Sequence, residues 1–343
     1  MIPPWLLASD NHLGLRIALS LLPVLLFLGV LLWLDSFRLV RKKSVMVAMF
    51  AGAIGALFSY FANTAILEVT HLPPAIFAIM AAPFVEETFK GLWVAWQIRR
   101  GQVGFLIDAA ILGFATGAGF AIVENIYYLR SLGDVPLLVW LIRGLGTALM
   151  HGGTTAVLAV FLRGRGASSP ARAPWIGAVF LAALLHGAFN RFMTDPLLAT
   201  GVMVIFLPLM MVAVYHEGER RLRAWLGRSF DRDRELLELI QSGEVRTTPL
   251  GKYLVSLREQ FPAEDVADML CLLRLQVELS IRAKGVLMLR EQGLEAAADP
   301  DVLGKLKEVK WLEKRLGRAG VLAMRPICHW AGGDGWQKNI LQD

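Results

Sequence analysis

Residues 82–96 read APFVEETFKGLWVAW. Glu86, Glu87 and Lys90 stand in the middle of an otherwise apolar run which, with its flanks, is long enough to cross a bilayer. A charge at mid-bilayer costs ~2.5–3.5 kcal/mol on insertion scales, so a spanning helix keeps such residues only for a reason. Lys90 follows Glu86 by four residues and Glu87 by three, and therefore shares a helix face with both. An ion pair within the helix accounts for one carboxylate. The second asks for a partner or a task elsewhere in the fold.

The rest of the chain supports a membrane setting. Its 343 residues are 55% hydrophobic and only 19% charged, against about 25% charged in ordinary soluble domains. The mean hydropathy is +0.52. Seven apolar segments reach the ~20 residues that a spanning helix needs: 15–35, 45–67, 75–98, 104–129, 137–162, 174–193 and 197–216. The expected fold class is therefore all-α: a polytopic membrane protein of about seven transmembrane helices, followed by a helical cytoplasmic C-terminal domain. The first segment has no basic leader and no small-residue cleavage site, and RLVRKK follows it, so it reads as an anchor rather than a cleaved signal. If the third segment is one helix, Glu86 lies ~12 residues, or ~18 Å, from its outer end at 1.5 Å per residue.

Orientation follows from the basic residues in the short loops. The loops after segments one, three and five hold Arg38, Arg41, Lys42, Lys43, Arg99, Arg100, Arg163, Arg165 and Arg172. Those after segments two, four and six hold only Arg130 and Arg191. The N-terminus is expected outside and the C-terminal part in the cytoplasm of a multi-pass protein of the cell (inner) membrane. The lipid bilayer is thus the first partner. The pI near 9.5 does not make nucleic acid another, because the basic residues cluster at the ends of apolar segments.

Two domains are expected, 1–216 in the membrane and 217–343 outside it. Residues 1–216 carry 14 Lys and Arg against 9 Asp and Glu, and residues 217–343 carry 21 against 20. The second part has soluble helical patterning. DRDRELLELIQSG stops at Gly243, Thr248 precedes a first-turn Pro249, Pro262 and two acids open a long helix, and Asp299 with Pro300 opens another. The last stretch, HWAGGDGWQKNILQD, reads as loose. Cys271 and Cys328 have neither disulfide-framework nor CxxC spacing. This domain is a candidate for binding a cytoplasmic partner or for self-association.

Three further sets of polar residues interrupt the apolar segments. GFATGAGFAIVEN carries Glu124 and Asn125 near the outer end of segment four, and its Gly113, Gly117 and Gly119 offer a small surface for a neighbouring helix. In segment five, Arg143, Thr147 and His151 are four apart and form a drifting stripe. In segment six, His186 and Asn190 share a face. A single cavity lined by carboxylates, imidazoles and an amide could satisfy all four sets. A carboxylate kept ionised beside a cation acts as general base toward water, and an imidazole and an amide on a facing helix can donate to a developing oxyanion. That chemistry is hydrolysis without a cofactor, metal or covalent nucleophile. Zinc is the rival: His and Glu are ligands, but HExxH is absent and Asn190 ligates poorly. No GxSxG is present.

The ordered set EETFK (Glu86, Glu87, Lys90), FAIVEN (Phe120, Glu124, Asn125), His151 and HGAFN (His186, Asn190) resembles the PrsW family of intramembrane proteases, which is related to type II CAAX prenyl endopeptidases and CPBP proteases. The resemblance covers about residues 70–215. It implies a glutamate-dependent endopeptidase acting on a membrane-anchored protein substrate such as an anti-sigma factor. Glu86 would be the base, Glu87 and Glu124 would orient water or substrate, and His186 and Asn190 would form the oxyanion hole. His151 would be a further polar member, with Lys90, Asn125 and Arg143 in support. The CAAX-type relatives carry FxxxH where this chain has Phe120 and Glu124. The competing classes are a transporter relaying protons or cations through the same groups, and a sensor with the tail as output. The first should show repeated halves, which this chain lacks; the second should tolerate Glu86→Gln.

Overall fold

A computed structural model describes residues 13–132, 135–166, 173–192, 195–295, 299–327 and 335–341, and every regular element among them is helical. The chain divides into two compact units. The first comprises residues 1–98 and 105–218, the second residues 99–104 and 219–343.

The first unit contains α1 (Leu13–Leu34), α2 (Lys42–Thr70), α3 (Pro74–Met80), α4 (Ala82–Arg99, up to Ile98), α5 (Leu106–Ser131), α6 (Leu137–Ile142), a π-helical turn (Arg143–Thr147), α7 (Ala148–Gly166), α8 (Ala173–Phe192) and the beginning of α9 (Pro196–Ser242). Five spans are long and apolar enough to cross a membrane by length and composition: α1, α2, α5, Leu137–Gly164 and α9. The third and sixth expected segments also form helices, but α4 carries Glu86, Glu87, Lys90 and Arg99 within 18 residues, and neither it nor α8 is among the five.

The third segment is not one helix. It breaks at Ala81, between α3 and α4. Pro83 has no N–H to offer the carbonyl four residues back, so the α-helical ladder cannot run through it. The depth of Glu86 counted along a continuous helix therefore does not apply.

Helix α5 is the centre of this unit. Residues 107–121 are buried without exception, and its first turn is closed by Asp108, whose Oδ1 accepts the N–H groups of Phe105 at 2.8 Å and Ala109 at 2.9 Å. The glycines serve two neighbours rather than one. A β-carbon at Gly117 would overlap the carbonyl oxygen of His151 on α7, and one at Gly119 would overlap that of Met49 on α2. Close approach of backbones through small residues is how membrane helices gain packing where lipid offers no hydrophobic driving force.

The second unit holds the end of α9, α10 (Pro249–Ser256), α11 (Ala263–Glu291), α12 (Pro300–Met324) and α13 (Gly335–Leu341). Helix α9 does not end near 216, as the composition shift suggests, but runs on to Ser242 and stops at Gly243 with φ of 80°. Thr248 caps α10, accepting from the Gly251 N–H at 3.2 Å, and Asp299 caps α12. Val302, Leu306, Val309, Leu312 and Leu316 of α12 form one buried stripe against Met269, Leu272, Leu273 and Val277 of α11. Lys284 and Asp233 form a buried ion pair beside it. The Gly-rich end is not wholly loose: α13 buries Trp336 and Ile340, and within this unit Trp336 donates its N–H to Gly101 and Asn339 its amide to Gln102. Cys328 and His329 lie outside the described residues, and Cys271 is a free, exposed thiol.

Because a backbone atom cannot yield as a side chain can, Gly117→Val should cost at least the ~1–3 kcal/mol of ordinary overpacking. Thermal unfolding of the detergent-solubilised protein should show the loss as a lowered midpoint. An unchanged midpoint would contradict the close α5–α7 approach.

Candidate active site

The carboxylate of Glu87 joins three helices. Its Oε1 receives Lys90 Nζ at 2.5 Å from its own helix, Thr154 Oγ1 at 2.9 Å from α7 and His186 Nδ1 at 2.9 Å from α8. Glu87 and Lys90 are fully buried. A carboxylate only accepts, so His186 carries its proton on Nδ1 and donates it to Glu87. The Nε2 of His186 then points at Glu86, 3.8 Å from Oε2.

Lys90 also donates to Nδ1 of His151 at 3.1 Å and lies over the ring of Phe120, 4.7 Å from its centroid. An ammonium group has no acceptor, so Nδ1 of His151 accepts and the ring's proton sits on Nε2. From there it is donated to Glu124 Oε2 at 2.6 Å. The other oxygen of Glu124 faces Arg143 at 3.3 Å. Arg143 is held by Asn125, whose Oδ1 accepts from Nε at 2.8 Å while its Nδ2 donates to the Ser20 carbonyl on α1 at 2.8 Å.

Arg143 and His151 are eight residues apart, or ~80° around a regular α-helix. The π turn at Arg143–Thr147 lies between them, and the two residues converge on the two oxygens of Glu124. Single π turns of this kind recur at functional sites.

The adjacent glutamates are thus separated. Glu87 is sealed by three donors, whereas Glu86 takes one amide hydrogen bond from Asn63 of α2 at 3.3 Å. With Glu124 it lines a cavity of about 540 Å³ between α2, α3, α4 and α5. A second, apolar cavity of about 370 Å³ between α7, α8 and α9 touches the cluster only through Thr154 and contains neither carboxylate.

Of the residues expected from the sequence, Glu86, Glu87, Glu124, His151, His186, Lys90, Asn125 and Arg143 form this connected cluster. Asn190 does not join it. Its Nδ2 donates to the carbonyl of Ala78, 2.8 Å away, on α3 beside the helix break. A broken helix frees backbone carbonyls that need other donors, and Asn190 supplies one. The signal was Pro83 inside an apolar segment. Asn63 and Thr154 were missed, because a lone Asn or Thr in an apolar helix has no spacing that marks it.

Glu86, His151 and His186 each offer one ligand atom, and the three atoms lie within 4.8 Å of one another. The set fits a divalent metal in kind and proximity, and Glu87 behind His186 is the carboxylate that orients a ligating imidazole. Both His151 nitrogens are engaged, one by Lys90 and one by Glu124, so His151 fits only by giving up one of those contacts.

Asn190→Ala should lower stability by about 0.5–1.5 kcal/mol, the net worth of one hydrogen bond, and reduce kcat by less than about tenfold. A fall of ~100–1000-fold at unchanged stability, the size expected for a lost oxyanion donor, would return Asn190 to the reaction centre.

No curated protein and no solved structure matches this chain. A family model described as PrsW family intramembrane metalloprotease matches residues 41–215, about half of the chain and the whole of the cluster. With five helices fit to cross a bilayer and three carboxylates, Glu87 buried and Glu86 and Glu124 partly so, held together by two cations and two imidazoles, the match identifies the chain as a multi-pass membrane protein of the PrsW intramembrane protease family.

Proposed function

We propose that the protein is an intramembrane endopeptidase in which Glu86 activates water for hydrolysis of a membrane-anchored protein, an anti-sigma factor being one substrate of the right class. The observation that carries this reading is that Glu86, not Glu87, lines the cavity beside a free imidazole nitrogen. Water between Glu86 Oε2 and His186 Nε2 loses a proton to the carboxylate as its oxygen attacks the peptide carbonyl. The carbonyl π electrons move onto oxygen. Collapse of that intermediate breaks the C–N bond, and the proton held by Glu86 passes to the leaving nitrogen. His186, when protonated at Nε2, donates to the oxyanion, with its ring held by Glu87. Lys90 and Arg143 offset the charge of Glu87 and Glu124, and His151 links the two pairs.

A second reading is favoured by the 4.8 Å grouping and by the family's description. Glu86, His151 and His186 are the residues that would hold a metal, which when bound supplies Lewis-acid polarisation of the water and the peptide carbonyl. Glu86→Gln should abolish cleavage of a membrane peptide while insertion and folding persist; near-normal turnover would defeat both readings. Strong chelators separate them. Retained activity is expected for water activated by the carboxylate alone, whereas loss restored by added zinc assigns the three residues to a metal.

We further propose seven membrane crossings, α3 and α4 together making one and α8 another, in the inner membrane, with the N-terminus outside. Residues 217–343 then form a cytoplasmic regulatory or recruiting domain. The nine basic residues in one set of loops against two in the other support this orientation. A reporter fused after residue 343 should be active only in the cytoplasm. Activity on the outer side would reverse the scheme.

A further inference from the structure

The cavity that Glu86 and Glu124 line has an aromatic and aliphatic wall contributed by α2, α3 and α5, including Leu57, Tyr60, Phe77, Phe120 and Tyr127. Tyr60, Leu57 and Tyr127 are half exposed, whereas Phe77 is buried. One amide faces this space from α2. Asn63 gives Nδ2 to Glu86 Oε1, and its Oδ1 is buried with no protein partner. The orientation follows from chemistry, since the reverse rotamer would set an amide oxygen against a carboxylate oxygen.

A peptide bond inside a membrane helix is shielded by its own turn. Before water can reach it, the helix must unwind, and each freed N–H then needs an acceptor that lipid does not provide. An acceptor one amide group away from the base is suited to that N–H. A half-open aromatic wall takes the neighbouring side chain out of the bilayer without loss of apolar contact, while two carboxylates on the same wall disfavour an acidic one.

We propose that this cavity is the substrate subsite. It receives an extended peptide segment, with Asn63 Oδ1 accepting a backbone N–H beside the scissile bond and the aromatic wall selecting a large apolar side chain. Asn63 is thus a positioning residue for both substrate and base. The proposal rests on the proteolytic reading above but makes claims about binding that can be read without turnover.

The probes are single-span peptides that differ only at one residue near the outer end, which is Phe, Leu, Ala or Asp. Their affinities are measured for the full-length wild-type protein, which keeps the carboxylate that orients Asn63, in a binding assay completed before appreciable cleavage. Phe and Leu peptides should bind about tenfold or more tightly than the Ala peptide, the discrimination typical of an apolar pocket, and the Asp peptide should bind least. Asn63→Ala should weaken every peptide about two- to tenfold, the worth of one hydrogen bond, and leave the ranking intact. Phe77→Trp should remove the advantage of Phe over Ala by filling the cavity. Leu57→Trp, at an exposed position, should do the same without disturbing a buried ring. Equal binding of all four peptides, or a ranking that neither tryptophan moves, would overturn the subsite; unchanged affinity in Asn63→Ala would remove the acceptor role. Ranked binding in a wild-type protein that cleaves none of the peptides would refute proteolysis and leave the subsite standing. Cleavage by wild type without ranked binding would do the reverse.

Discussion

Oxygen Oε1 of Glu87 is the point on which the polar cluster is assembled. It takes a hydrogen bond from each of Lys90, Thr154 and His186, and so ties together α4, α7 and α8. A buried carboxylate is stable only with donors in good geometry around it, and removing one partner of such a group costs far more than the pair contributes. The cost of an ionised group in a membrane bundle thereby becomes a positional constraint. Once Oε1 of Glu87 has its three donors, the ring of His186 is fixed, its Nε2 is turned toward Glu86, and Lys90 is placed to reach His151.

From there the network follows the arithmetic of donors and acceptors. Lys90 can only donate, which sets the proton on His151 and aims it at Glu124. Glu124 is further compensated by its ion pair with Arg143, and Arg143 is anchored by Asn125 on α5, itself bonded to α1. Three carboxylates are thus distributed between two permanent cations. Glu87 and Glu124 use most of that compensation, and Glu86 is left with a single amide and an imidazole nitrogen at 3.8 Å. The carboxylate with the fewest commitments shares the cavity wall with Glu124, whereas the fully committed Glu87 does not reach it.

Two departures from regular helix lie next to this network. Pro83 breaks the third segment into α3 and α4, and the exposed carbonyl of Ala78 is taken up by Asn190. The π turn before α7 precedes His151 and contains Arg143. The break leaves a carbonyl that the Asn190 amide takes up, whereas the π turn keeps its backbone bonding in a shifted register, with Ala148 N–H donating to the Arg143 carbonyl.

The sequence by itself determined the helical class, the membrane setting and most of the cluster. Apolar length, sparse charge and the i,i+3/i,i+4 spacing of Glu86, Glu87 and Lys90 are local properties, and a buried charge marks itself wherever it stands in an apolar run. Caps at Thr248, Asp299 and Gly243 were legible for the same reason, since capping depends on a few consecutive residues. Only the tertiary structure decided which of two adjacent glutamates faces the cavity, because that depends on partners 67 and 99 residues away. It also placed the Asn190 side chain at the helix break rather than in the cluster, brought in Asn63 and Thr154, and carried α9 past the expected boundary to Ser242. Helical periodicity gives the face a side chain occupies. Which helix meets that face, and which polar atom it brings, is set by packing of the whole bundle.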